Sequence, residues 1–131
     1  MTPTNNQIYM AAITLLNNTT LGYPISWPGF NFTPPASGVW LEVSFFPNEG
    51  IDNGLRYADG VVPRGIFQVA CVNRPGAGLD AIHAAADQIR ALYAKGTGLI
   101  GSVRVIREPY DMELQADDDR LMVVVSVEYS G

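Results

Sequence analysis

The chain has 131 residues, 47% hydrophobic and 16% charged, with 13 acidic and 8 basic side chains and a formal charge of −5. That length suits one domain with a real core and is short for two; an acidic balance without a Lys or Arg run to track a phosphate backbone argues against direct nucleic-acid binding, and no sequence-specific binding is expected. Cys71 is the single cysteine, so no internal disulfide can form and packing must hold the fold. The start lacks the basic segment and sustained apolar core of a secretory signal, and no stretch is long enough to span a bilayer. A soluble, unprocessed chain with no membrane partner is therefore expected. The low charge also leaves apolar surface that a partner could cover.

Thr4 is placed to cap a first helix reaching about Leu16, with Ile8, Ala12, Leu15 and Leu16 along one side. Residues 22–35 are then punctuated by Gly22, Pro24, Pro28, Gly29, Pro34 and Pro35, which predicts ordered loop. Tyr23, Trp27, Phe30 and Phe32 fall within it. These rings are expected either to pack over the core edge or to form an exposed contact surface.

Over 39–46, Val39, Leu41, Val43 and Phe45 alternate with Trp40, Glu42, Ser44 and Phe46, the period of a strand with one drier face. Pro47 is expected to end it. A second strand is expected over 66–72, so the two form a hairpin joined by a long loop. That loop exceeds the usual two to five residues and is a candidate functional arm.

The best-marked element lies within residues 73–98. Leu79, Ile82, Ala86, Ile89 and Tyr93 recur at three- and four-residue steps, the seam of an amphipathic helix. Pro75, Gly76 and Gly78 break the chain before it, Asp80 suits its positive end, and Lys95 with Gly96 suits its stop. A third strand is predicted over 102–107, an acidic loop over 109–119, and a last strand over 121–129. The order helix-strand-strand-helix-strand-strand predicts an α+β fold, a single domain over 1–131 whose mainly antiparallel or mixed sheet is packed by helices.

Chemistry has little to stand on. His83 is the only histidine and lies beside the helical seam, so a structural or surface role is expected and no metal site is assigned. Cys71 shares a strand face with Phe67 and Val69 and is expected to be a buried, inert thiol. Asp117, Asp118 and Asp119 lack the spacing of a helix-loop-helix calcium site and fit a solvated turn. Gly76 and Gly78 with Arg74 nearby suggest an anion-binding helix start, yet neither the phosphate-loop nor the dinucleotide fingerprint is present. No catalytic residue and no cofactor are assigned, and the chain is not expected to be an enzyme.

The run RGIFQVACVNRPGAG, followed by AADQIRALYAKGT and closing with VVVSVEYSG, resembles the tail terminator proteins of long-tailed bacteriophages. The group it is most similar to is that of the lambda-like minor tail protein U. WPGFNFTPP and WLEVSFFPNE fit the same arrangement, so the resemblance covers about residues 23–131. Asn73 and Arg74 depart from it, standing where a small or aromatic pair is expected before Pro-Gly.

The resemblance implies a structural virion protein that forms a ring, usually a homohexamer, on the head-proximal end of the tail tube. There it stops tube growth and offers a surface for joining the head. Its implied partners are its own copies, the tail tube protein and a head-completion or connector protein, in the virion and, during assembly, the host cytoplasm. The family brings no catalytic residues to carry over. On physical grounds the arm over 48–64 is nominated for subunit or tube contacts through Glu49, Asp52, Arg56, Asp59 and Arg64. Asp117, Asp118 and Asp119 are nominated to line a passage, since negative charge lets DNA pass without adhering. The alternatives are a monomeric module holding a peptide or ligand on the 23–32 aromatic segment, a cysteine-dependent enzyme using Cys71 and His83, and a neighbouring head-to-tail joining or tube protein.

Overall fold

The computed structural model describes residues 3–18, 21–52, 61–76, 78–116 and 120–131. Thr4 starts helix α1 (Asn5–Asn17) through a reciprocal box: its hydroxyl accepts from the Gln7 amide at 3.2 Å, and the Gln7 side chain accepts from the Thr4 amide at 2.9 Å. Two of the donors that a helix start leaves open are thereby satisfied. Ile8, Ala12 and Leu16 are buried as their spacing predicts, whereas Leu15 is only partly covered.

Helix α2 (Asp80–Leu92) buries Ile82, Ala86 and Ile89 with Tyr93 just beyond, and adds Ala85. Its ends differ from expectation. Leu79 occupies the N-cap, where no side chain caps the helix, and is 40% exposed; Asp80 supplies only charge to the first turn. The helix stops at Leu92, and Gly96 (φ +90°) serves the next turn instead, donating its N–H to Val105 O. Arg90, rather than Lys95, is the basic residue in the last turn.

The strands are β1 (Ile25–Ser26), β2 (Trp40–Asp52), β3 (Val61–Asn73), β4 (Gly98–Ile100), β5 (Val103–Val105), β6 (Tyr110–Asp111), β7 (Gln115–Ala116) and β8 (Leu121–Ser130). They form one sheet in the order β1-β2-β3-β8-β5-β4, with β6 and β7 also pairing with β8. All pairs are antiparallel except β1 with β2, so the sheet is mixed. The fold is therefore more β than the four-strand expectation. The prolines around β1 leave room for two parallel bonded residues, and the stretch expected to be an acidic loop pairs with β8 at Tyr110–Asp111 and Gln115–Ala116.

Both helices cover one face of the sheet. There, cross-strand rows such as Leu41–Cys71–Val123, Val43–Val69–Val125 and Phe45–Phe67–Val127 meet Leu16, Ile82, Ile89 and Tyr93. Each large side chain buried in these rows contributes about 1.5–3 kcal/mol. The Tyr93 hydroxyl donates to Ala12 O at 2.6 Å and pins α2 to α1.

The outer face is not bare either. Trp40, expected on the wetter side, is 1% exposed and clusters with Ala70, Val72 and Val124 beneath Phe32. Arg74, whose guanidinium also donates to Pro35 O, stands 5.0 Å over the Trp40 ring. Arg74, before Pro75, thus ties the 32–35 segment to the Trp40 cluster.

Candidate interaction surfaces

The connection expected to be a loop is, over its described residues, a β ladder. β2 passes through Pro47, and its register with β3 runs on through Asn48↔Arg64, shifts at a bulge, and resumes at Ile51↔Val62 and Asp52↔Val61. Pro47 is tolerated because β2 is an edge strand at that point, its other neighbour β1 having paired only with Leu41 and Glu42. β8 reaches β3 only as far as Arg64, so the two strands project past the sheet as a hairpin arm. At its base Phe45 stacks on Tyr129 and meets Tyr9 at a tilt, with ring centroids 5.9 Å and 5.3 Å apart.

Of the nominated contact residues, Glu49 and Asp52 lie on the arm's β2 strand and Arg64 on its β3 strand, where Arg64 is exposed between Asn48 and Ser130. Arg56 and Asp59 lie outside the described residues, as do Asp117, Asp118 and Asp119. The structure does bring β7 and β8 together on either side of that aspartate run, through Ala116↔Leu121.

Two surfaces went unrecognised in the sequence. On the outer sheet face, Phe46 is 51% and Met112 41% exposed, Tyr110 lies on the same face across β3 and β8, and Gln68 donates to Ser126. Its charges are paired: Arg120 with Glu42 at 2.9 Å and Arg107 with Glu128 at 3.0 Å. The alternation marks Phe46 as lying on this face, but only the pairing of β6 with β8 sets Tyr110 on it, and Met112 joins it beside Gln68. On the helix side, a groove of roughly 470 Å³ runs between α1 and β4, and one of roughly 390 Å³ between α1 and Trp27 with Phe30.

The 23–32 aromatic residues do not converge. Tyr23 donates to Gln88 of α2, Trp27 packs on the helix-side core, Phe32 sits on the opposite face of the sheet, and Phe30 is 75% exposed. The segment wraps the β2 edge, held by Leu41 N–H donating to Pro24 O. His83 is exposed on α2. Cys71 is fully buried, and burial, reinforced by the Asp111 charge and opposed by Arg90, pushes its thiol up to about 12. Such a thiol is a poor nucleophile at neutral pH. Asp111 itself is held by Arg90 at 2.5 Å, joining α2 to β6, and Arg90 also pairs with Asp87. Among the described residues no three His, Cys, Asp or Glu side chains converge on a metal position. No helix among them is long and apolar enough to cross a membrane.

No curated protein matches the chain. Among solved structures, one known only by a sequence label superposes with a TM-score of 0.77 at 26% identity, covering 97% of this chain and 94% of its own. A second, from the virion of a native gene transfer agent particle, gives 0.58 at 15% identity over 97% and 94%, a likeness of fold. The family profile described as phage tail terminator protein matches residues 3–129. With nearly its whole length matched, this chain belongs to the phage tail terminator family and has a structural role in the phage tail.

Proposed function

We propose that the chain acts as one tail-terminator domain over 1–131, related to the lambda-like minor tail protein U group. It assembles as a ring, a homohexamer, on the head-proximal end of the tail tube, where it stops tube growth and offers the surface that a head-completion or connector protein joins. The carrying observation is the family match over residues 3–129. The work is done by binding, without catalysis or cofactor, in the virion after assembly in the host cytoplasm.

In this reading the hairpin arm reaches a neighbouring subunit or the tube protein, with Glu49, Asp52, Arg56, Asp59 and Arg64 exchanging charge pairs across a contact that recurs at every junction. Asp117, Asp118 and Asp119 face the passage and keep DNA from adhering. The projection of β2 and β3 past the end of β8 supports the first assignment.

Light scattering over a concentration series, with and without purified tail tubes, tests the reading. A closed oligomer, or a monomer that becomes a ring on tube ends, is expected. A monomer that ignores tubes at every concentration overturns it.

A further inference from the structure

No Asp, Glu, Lys, Arg or His side chain precedes Glu42, so the whole net charge of −5 falls on the rest of the chain. Folding gathers much of this uncharged stretch around α1. The two helix-side grooves share α1 as their ridge, and Met10, 48% exposed, lines both. Phe30, at 75% exposure, forms the far wall of one; Leu99 and Ile100 of β4 form that of the other. No residue lining either groove is charged. A largely apolar surface whose polar side chains, such as Asn6, Thr14 and Asn17, carry no charge suits the centre of a protein interface.

We infer that this neutral face is the subunit junction of the ring, and that it receives the outer sheet face of a second copy of the chain; the inference rests on the ring reading above. Electrostatics favours this occupant. Every copy carries −5, so acidic surfaces brought together at each repeat would repel, while an uncharged face accepts a neighbour without that repulsion. Geometry favours it as well. Phe46, Tyr110 and Met112 supply exposed apolar side chains on the side of the sheet away from the helices. Front and back of one sheet are different surfaces, and a front-to-back contact is heterologous, the kind that closes rings; self-pairing of the α1 face would stop at a dimer. The charges of the outer face are already paired, Arg120 with Glu42 beside Met112 and Arg107 with Glu128 over the Tyr110 ring, so they meet the neutral face as neutral pairs.

The test compares the wild type with Met10→Glu and Met112→Glu, both at exposed positions, by light scattering with and without tail tubes, with thermal melts to confirm folding. Wild type should assemble and each variant should remain monomeric at concentrations at least tenfold higher. A variant that forms rings like wild type overturns the junction alone. A wild type that stays monomeric even with tubes overturns the ring reading, and the junction with it. A second measurement does not depend on the glutamates. Because Cys71 is buried, Met10→Cys introduces the one accessible thiol, and ring formation should slow its maleimide labelling at least tenfold. Unchanged labelling in the ring, or protection that appears only on adding tubes to preformed rings, overturns the second-copy assignment.

Discussion

Tyr129 lies directly over Gly65, its cross-strand partner: a Cβ built on Gly65 would stand 2.4 Å from the tyrosine hydroxyl oxygen and 2.8 Å from the carbonyl oxygen of Phe46. A glycine inside a strand is normally a weakness, and here the ring of the neighbouring strand covers it. Tyr129 also stacks on Phe45, with ring planes 6° apart, so the glycine sets the spacing at the base of the hairpin arm.

Gly65→Ala should therefore destabilise the protein by about 1–3 kcal/mol, the usual cost of overpacking, since one of the clashing atoms is backbone and cannot swing aside. Chemical denaturation reads this directly. A change within about 0.5 kcal/mol, the range of ordinary surface substitutions, would show that the strands part there without cost.

Two buried tyrosines should respond in opposite ways to loss of the hydroxyl. Tyr93 donates to Ala12 O and loses that bond in Tyr93→Phe, an expected cost of about 1 kcal/mol. The Tyr129 hydroxyl is buried without a hydrogen-bond partner among the described residues, and Tyr129→Phe removes a desolvated polar atom, so its stability should be equal to or above wild type. Equal losses in both variants would contradict the difference in their surroundings.

Cys71 gives a pH dependence whose sign follows from its burial. The folded thiol is pushed from an ordinary 9.0 up to about 12, so below pH 9 it is neutral in both states and costs nothing. Above pH 9 the unfolded thiol ionises while the folded one does not, and stability falls as pH rises toward 12, by up to about 1.4 kcal/mol per unit. Tyr93, also raised by burial, adds to the loss above its ordinary value of 10.0. Denaturation midpoints should be steady at pH 7–8 and decline from pH 9, with a shallower decline between pH 9 and 10 in Cys71→Ala. The same slope in that variant would assign the loss elsewhere.

Legibility in the sequence followed periodicity. Ile82, Ala86, Ile89 and Tyr93 announce the α2 seam, and the alternation from Val39 to Phe45 announces the inner face of β2; both are buried as expected apart from the partly covered Phe45. β1, β6 and β7 contribute two residues each, too few to show a period, and form because longer strands lie beside them. The arm is hidden by Pro47 and Gly50, which end a strand in most settings and are accommodated here at an edge and a bulge. The burial of Trp40 does not show in the alternation, because its cover, Phe32 and Arg74, comes from distant loops. The charge-free stretch before Glu42 is plain in the sequence, but the fold alone makes it a surface.

Thr4 links that surface to a single helix cap. Its hydroxyl and the Gln7 side chain hold the first turn of α1, whose Met10 forms the ridge of the neutral face. Thr4→Ala should cost about 1 kcal/mol of stability, and Thr4→Ser should restore it because the serine hydroxyl can make the same bond. If α1 is the junction ridge, fraying of its first turn should also move ring assembly to higher protein concentration in Thr4→Ala and leave it unchanged in Thr4→Ser. Paired melting and light-scattering measurements separate the two effects. A Thr4→Ala chain that loses stability yet assembles at the wild-type concentration would place the start of α1 outside the junction.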